Sequence, residues 1–135
     1  IIDAAINDSD GYFSNDCIKK IVKSVKEYIN ENYFEDLSLT SLAKQFSVDR
    51  SYLSKAFKHE TGENLMPYIA KTRVEKAKKL IMEGSATLTD ISSLVGYDDY
   101  AYFNRVFRKF TGVSPREFKN SCSLKIKCMQ QTNIV

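Results

Sequence analysis

The sequence predicts an all-α fold of about seven helices, arranged as two copies of one small helical unit joined by a long linker helix. Three observations predict it. Apolar residues recur at three- and four-residue spacing through most of the chain, and only five glycines and two prolines interrupt its 135 residues, a pattern that suits helices rather than strands. The hexapeptide FKHETG starting at Phe57 returns as FRKFTG at Phe107, and Leu53 and Phe103 keep the same offset of 50 residues. Between the copies, ENLMPYIAKTRVEKAKKLIMEG has its one proline near the start, where no intrahelical N–H bond is lost.

Composition narrows the class. A chain that is 43% hydrophobic and 27% charged has enough apolar residues for ordinary cores. No apolar run approaches the roughly 20 residues a membrane helix needs, and no charged start followed by an apolar block suggests a secretory signal, so a cytoplasmic protein without membrane contact is expected. Cys17, Cys122 and Cys128 are odd in number and match no zinc spacing. They read as free thiols in a reducing compartment. Residues 1–40 hold four lysines against eight acids, whereas residues 41–120 hold 14 basic residues against 9 acidic ones, a surplus of five. That asymmetry favours an anionic partner for the central region.

Residues 1–16 lack an initiating methionine and are dense in Asp, Asn and Ser. They read as a linker or the end of an upstream domain. From about Cys17, Ile18, Ile21, Val22, Val25 and Ile29 follow the helical period. Lys19, Lys20, Lys23 and Lys26 lie on the other side, as a solvated face or as phosphate contacts, the former being the usual meaning of such a run. Ser38 is placed to cap a second short helix with Leu39, Leu42, Ala43 and Phe46 inside. After Ser47 and Val48, Asp49 can cap a third, with Leu53, Ala56 and Phe57 inward and Arg50, Ser51, Ser54, Lys55 and Lys58 outward. The linker helix follows over residues 64–83, capped by Asn64 and ended by Gly84, with Ile69, Val74, Ala77, Leu80 and Ile81 as its stripe. Some 19 residues at 1.5 Å rise span about 28 Å. With the flanking helices added, the outer faces of the two units approach the 34 Å or so between successive major-groove segments on one side of DNA.

The second copy occupies residues 87–120. Thr87 and Asp90 have capping-box spacing, so a helix begins at Leu88, with Leu88, Ile91, Leu94 and Val95 apolar, and Gly96 opens the turn. Asp98 can cap the next helix, and Asp98 and Asp99, which would repel nearby phosphates, read as caps or turn formers. There Phe103, Val106, Phe107 and Phe110 face a core, and Tyr100, Ala101, Asn104, Arg105 and Arg108 fall opposite. Leu42 pairs with Ile91 at an offset of 49, so the second turn holds one extra residue. Ser114 and Glu117, with Pro115 between them, form another capping box, and Phe118 should pin that last helix. Residues 122–135 carry no periodic signal. Two short helices meeting across a tight turn, the second with a polar and basic outer face, form the helix-turn-helix that reads a DNA major groove.

RVEKAKKLI, followed by TLTDISSLVGYDDYAYFNRVFRKFTGVSPREFK, resembles the DNA-binding domain of the AraC-type transcription regulators. The Gly-Tyr turn, the Tyr-Phe-x-Arg-x-Phe helix and the Gly-Val-Ser-Pro ending occur together and in order, and the resemblance covers about Ile18 to Asn120. It implies one domain over residues 17–121, with a first unit at about 17–62, binding double-stranded promoter or operator DNA through both units. It also implies a missing N-terminal sensing or receiver domain, as in two-component response regulators, and RNA polymerase as a further partner. The first recognition helix would use Arg50, Ser51, Ser54 and Lys55, and the second Tyr100, Ala101, Asn104 and Arg105, with Lys58 and Arg108 on phosphates. Arg suits guanine and Asn adenine. Ser51 and Ser54 are short for base readers, which lowers the share of discrimination expected of the first helix. Tyr102 is expected as a partly buried aromatic.

Two other readings compete. Domains of this type also occur joined to a DNA alkyl-repair module with a zinc-held cysteine, but His59 has no cysteine nearby in sequence and reads as a surface residue. No catalytic residue, metal or cofactor is expected. A helical adaptor binding protein would lack the steep salt dependence of phosphate contacts.

Overall fold

The helical period of the sequence appears directly in the computed structural model, which describes residues 15–122. Seven helices form among the described residues: α1 Asn15–Asn32, α2 Leu39–Gln45, α3 Arg50–Thr61, α4 Leu65–Glu83, α5 Leu88–Leu94, α6 Tyr100–Thr111, and α7 over residues 115–122. No strand occurs among the described residues. Cys128, residues 1–14 and nearly all of the 122–135 tail lie outside them. Contacts divide the chain into two compact units between Thr72 and Arg73, inside α4.

The first unit buries one side of four helices. Val22, Val25 and Ile29 of α1, Leu42 and Ala43 of α2, Tyr52, Leu53, Ala56 and Phe57 of α3, and Leu65 and Ile69 of α4 form its core. Both α1 and α2 pack on α3. Phe57 is fully buried and meets Tyr68 edge-on at 5.1 Å. Burying a ring of this size stabilises by about 1.5–3 kcal/mol. In the second unit α5 packs on α6, and Val74, Ala77, Ile81, Ile91, Val95, Phe103, Val106 and Phe107 are buried. Phe107 lies 5.7 Å from Phe118, so α7 is pinned as its sequence implies. No helix among the described residues is long and apolar enough to cross a membrane. Cys17 and Cys122 are thiols rather than half-cystines.

The repeat extends to individual hydrogen bonds. Val48 N–H donates to the Ala43 carbonyl at 2.9 Å, and Tyr97 N–H to Ser92 at 2.9 Å. The hydroxyl of Thr61 donates to the Phe57 carbonyl at 2.7 Å, and that of Thr111 to Phe107 at 2.8 Å. Each of these hydroxyls also accepts from the backbone two residues on, at Glu63 and Val113. Gly62 and Gly112 end α3 and α6 with φ of 79° and 84°, the left-handed conformation that only glycine adopts without strain.

Three local expectations fail. The cap of α6 is Asp99, which accepts from Ala101 N–H at 2.9 Å, not Asp98. Asp99 matches Asp49, which accepts from Ser51 N–H at 2.8 Å, so the extra residue of the second turn is Asp98 itself. Leu94 is 54% exposed. Ile91 and Val95 take the inward positions one turn apart, and Leu94 lies to their side. Phe110 is 38% exposed, because it lies beyond Val106 and Phe107 in the last turn of α6, where the core ends.

Candidate nucleic-acid interface

The caps fix where α3 and α6 start. Asp49 carries its carboxylate on Ser51 N–H, which places Arg50 and Ser51 in the first turn of α3. Arg50, Ser51, Lys55 and Lys58 are exposed and Ser54 is half-buried, while Tyr52, Leu53, Ala56 and Phe57 fill the core behind them. An open hollow of about 510 Å³ lies along this face, lined by Leu39, Asp49, Arg50, Ser51, Ser54 and Lys55. The short serines leave that space empty, and a long side chain in their place would fill it.

The second helix repeats the geometry with different chemistry. Ala101, Arg105 and Arg108 are exposed, and Tyr100 and Asn104 are half-buried. Neither Asn104 nor Arg105 is turned into the core. Tyr100 leans on Phe103 at 6.0 Å between centroids, which anchors one edge of the face. Among the described residues, Arg50, Lys55, Lys58 and Arg105 form no ion pair; the described pairs are Lys71 with Glu63 and Lys78 with Glu75. These four cations are therefore available to an outside anion, and Asp99 is already spent on the helix start. The ten candidate residues thus form two separate outward faces, one in each unit.

One residue of this surface escaped the sequence pattern. Tyr102 is 49% exposed rather than partly buried, and the Arg105 guanidinium lies 5.7 Å from its ring centroid. The signal was present in the i, i+3 spacing of the two residues, but the matching Tyr52 is only 5% exposed, so the repeat argued for burial. Behind Tyr102, Tyr97 is buried, with Arg73 at 5.1 Å from its ring. Burial pushes the Tyr97 phenol above its ordinary range, and Arg73 opposes the shift. His59 is exposed. No group of metal-binding side chains occurs among the described residues.

A helix-turn-helix domain family matches residues 42–121. A transcriptional regulator encoded 5′ of cgkA in Pseudoalteromonas carrageenovora is 37% identical over 109 residues, covering 81% of this chain and 63% of that protein. The arabinose operon regulatory protein of Escherichia coli is 30% identical over 106 residues, covering 78% of this chain and 36% of its own length. The chain therefore spans less than two thirds of these relatives. Among solved structures, the C-terminal domain of AraT, a response regulator from Geobacillus stearothermophilus, superimposes with a TM-score of 0.73 at 34% identity, covering 75% of this chain and 84% of that one. With paired capped turns, outward polar helices and these similarities, the chain belongs to the AraC-type helix-turn-helix family of DNA-binding transcription regulator domains.

Proposed function

We propose that the chain binds specific DNA sequences by placing α3 and α6 in successive major-groove segments, as the output part of a longer bacterial regulator. The observation that carries this is the duplication: two helices, each capped by an aspartate and backed by a buried phenylalanine, present outward faces of hydrogen-bonding and cationic residues. In this reading Arg105 and Asn104 contact base edges, as do Arg50, Ser51, Ser54, Lys55, Tyr100 and Ala101 where the groove brings them close. Lys58 and Arg108, a turn further on, hold phosphates. The linker helix α4, of 19 residues, acts as the spacer, and the domain spans residues 17–121. The similarity to a response-regulator C-terminal domain supports a phosphoacceptor receiver, or else a ligand sensor, upstream. The protein works in the cytoplasm beside RNA polymerase, by binding and without catalysis.

Selection of bound duplexes from a random pool tests the reading. Two short boxes with centres about 10–10.5 base pairs apart are expected. A single box would refute the use of both units, and a pool with no enrichment would refute sequence-specific binding.

A further inference from the structure

Tyr52 and Tyr102 hold the same register in the two units, yet Tyr52 is 5% exposed and Tyr102 is 49% exposed. The exposed ring is not loose. It meets Tyr97 edge-on, with centroids 5.6 Å apart at 64°, and Tyr97 is buried, packed against Phe103 at 5.9 Å and covered by Arg73 at 5.1 Å. On its other side stands Arg105, whose guanidinium is 5.7 Å from the Tyr102 centroid. Residues three apart on a helix are surface neighbours, so α6 itself holds the pair together. Arg73, Tyr97, Tyr102 and Arg105 thus form a continuous chain, two rings in contact with a cation at each end, from α4 to the outer face of α6. An arginine over an aromatic face keeps its fork of donors free while losing torsional freedom.

We propose that Tyr102 is a positioning residue that orients Arg105 for base recognition. This makes the second unit the sharper reader of sequence. In the first unit Lys55 stands in the register of Arg105 and Tyr52 belongs to the core, and among the described residues no ring stands against the Lys55 cation. The inference rests on Arg105 reading a base. Holding the guanidinium in one orientation before binding reduces the ordering cost at the interface. The benefit falls on sequences that match the fork and not on DNA in general.

The test uses the duplex recovered by selection, the same duplex changed at single base pairs, and a duplex of unrelated sequence, with dissociation constants measured for the parent, Arg105→Ala, Tyr102→Leu, Tyr102→Phe and the double variant. Circular dichroism of each variant checks folding, and Tyr102, 49% exposed, stands outside the buried core that holds the unit together. Arg105→Ala should abolish discrimination at one base pair. Tyr102→Leu should lower discrimination at that same base pair by about 2- to 5-fold, leave the unrelated duplex unaffected, and add nothing to Arg105→Ala. Tyr102→Phe should behave as the parent, because the ring face and not the hydroxyl supports the cation. Equal weakening on every duplex, full additivity in the double variant, or damage by Tyr102→Phe as great as by Tyr102→Leu would overturn the positioning role alone. Unchanged discrimination in Arg105→Ala would overturn the base-reading assignment, and the positioning role with it.

Discussion

Ser47 and Gly96 occupy the same place in the two turns, each just past the end of a short helix, and both have positive φ, 55° and 104°. A side chain in this region costs about 1–2 kcal/mol, which glycine avoids. Ser47→Gly should therefore raise stability by roughly 0.5–1 kcal/mol after its greater unfolded-state freedom is counted, as urea unfolding would measure. Gly96→Ala should destabilise by at least about 1 kcal/mol by the same measurement. At the proposed DNA face, Arg105→Ala should relax base preference and cost about 1–3 kcal/mol of binding, read by titration against matched and mismatched duplexes. The outward placement of Arg50, Lys55, Arg105 and Arg108 was legible from periodicity, since inner and outer positions of a helix follow from spacing alone. The cap at Asp99 was not, because spacing fixes the presence of an inserted residue without fixing which of two adjacent aspartates it is. The exposure of Tyr102 was hidden for a related reason. Register says which side of a helix a residue occupies, and the neighbouring elements decide whether that side is covered.

Helix starts were the most legible feature at the next scale, because a cap is a contact between residues two or three apart. Ser38 and Ser41 form a reciprocal box at the start of α2, and Thr87 accepts from Asp90 N–H at 3.1 Å. The box at α7 is reciprocal too: Glu117 accepts from Ser114 N–H at 2.9 Å, and Glu117 N–H donates to the Ser114 hydroxyl at 3.1 Å. Hydrogen bonds that the Glu117 carboxylate accepts from Ser114, from its backbone N–H first and then from its hydroxyl, hold that carboxyl below the usual glutamate range. A lowered folded-state value means that the bonds stabilise α7 above the ordinary glutamate pKa and are lost as pH falls through the lowered value. Amide exchange over residues 115–122 should accelerate relative to α6 on acidification through that window, after correction for the intrinsic rate, and Glu117→Gln should remove the excess. Helix ends were harder to read. Leu94 and Phe110 sit where a core thins out, and apolar spacing continues past the last neighbour able to cover it.

For the molecule as a whole, the duplication was visible as an offset of 50 residues in sequence, and it returns as matched turns, caps and threonine hooks. The basic surplus of residues 41–120 predicts that the logarithm of affinity falls linearly with the logarithm of salt concentration, by about 0.9 per phosphate neutralised. Fluorescence anisotropy over a salt series would measure that slope, and Lys58→Ala or Arg108→Ala should each reduce it by about one while leaving base preference intact. The division at Thr72 and Arg73 has a practical consequence for anyone wishing to shuffle halves between regulators. Leu65 and Ile69 serve the first core, while Arg73 and Lys78 reach Tyr97 and Phe118 in the second unit. A splice between Thr72 and Arg73 leaves each half its own packing residues but cuts the helix that holds them, so an autonomous graft of either half should carry the entire helix, and two separated halves would each need their own copy of it.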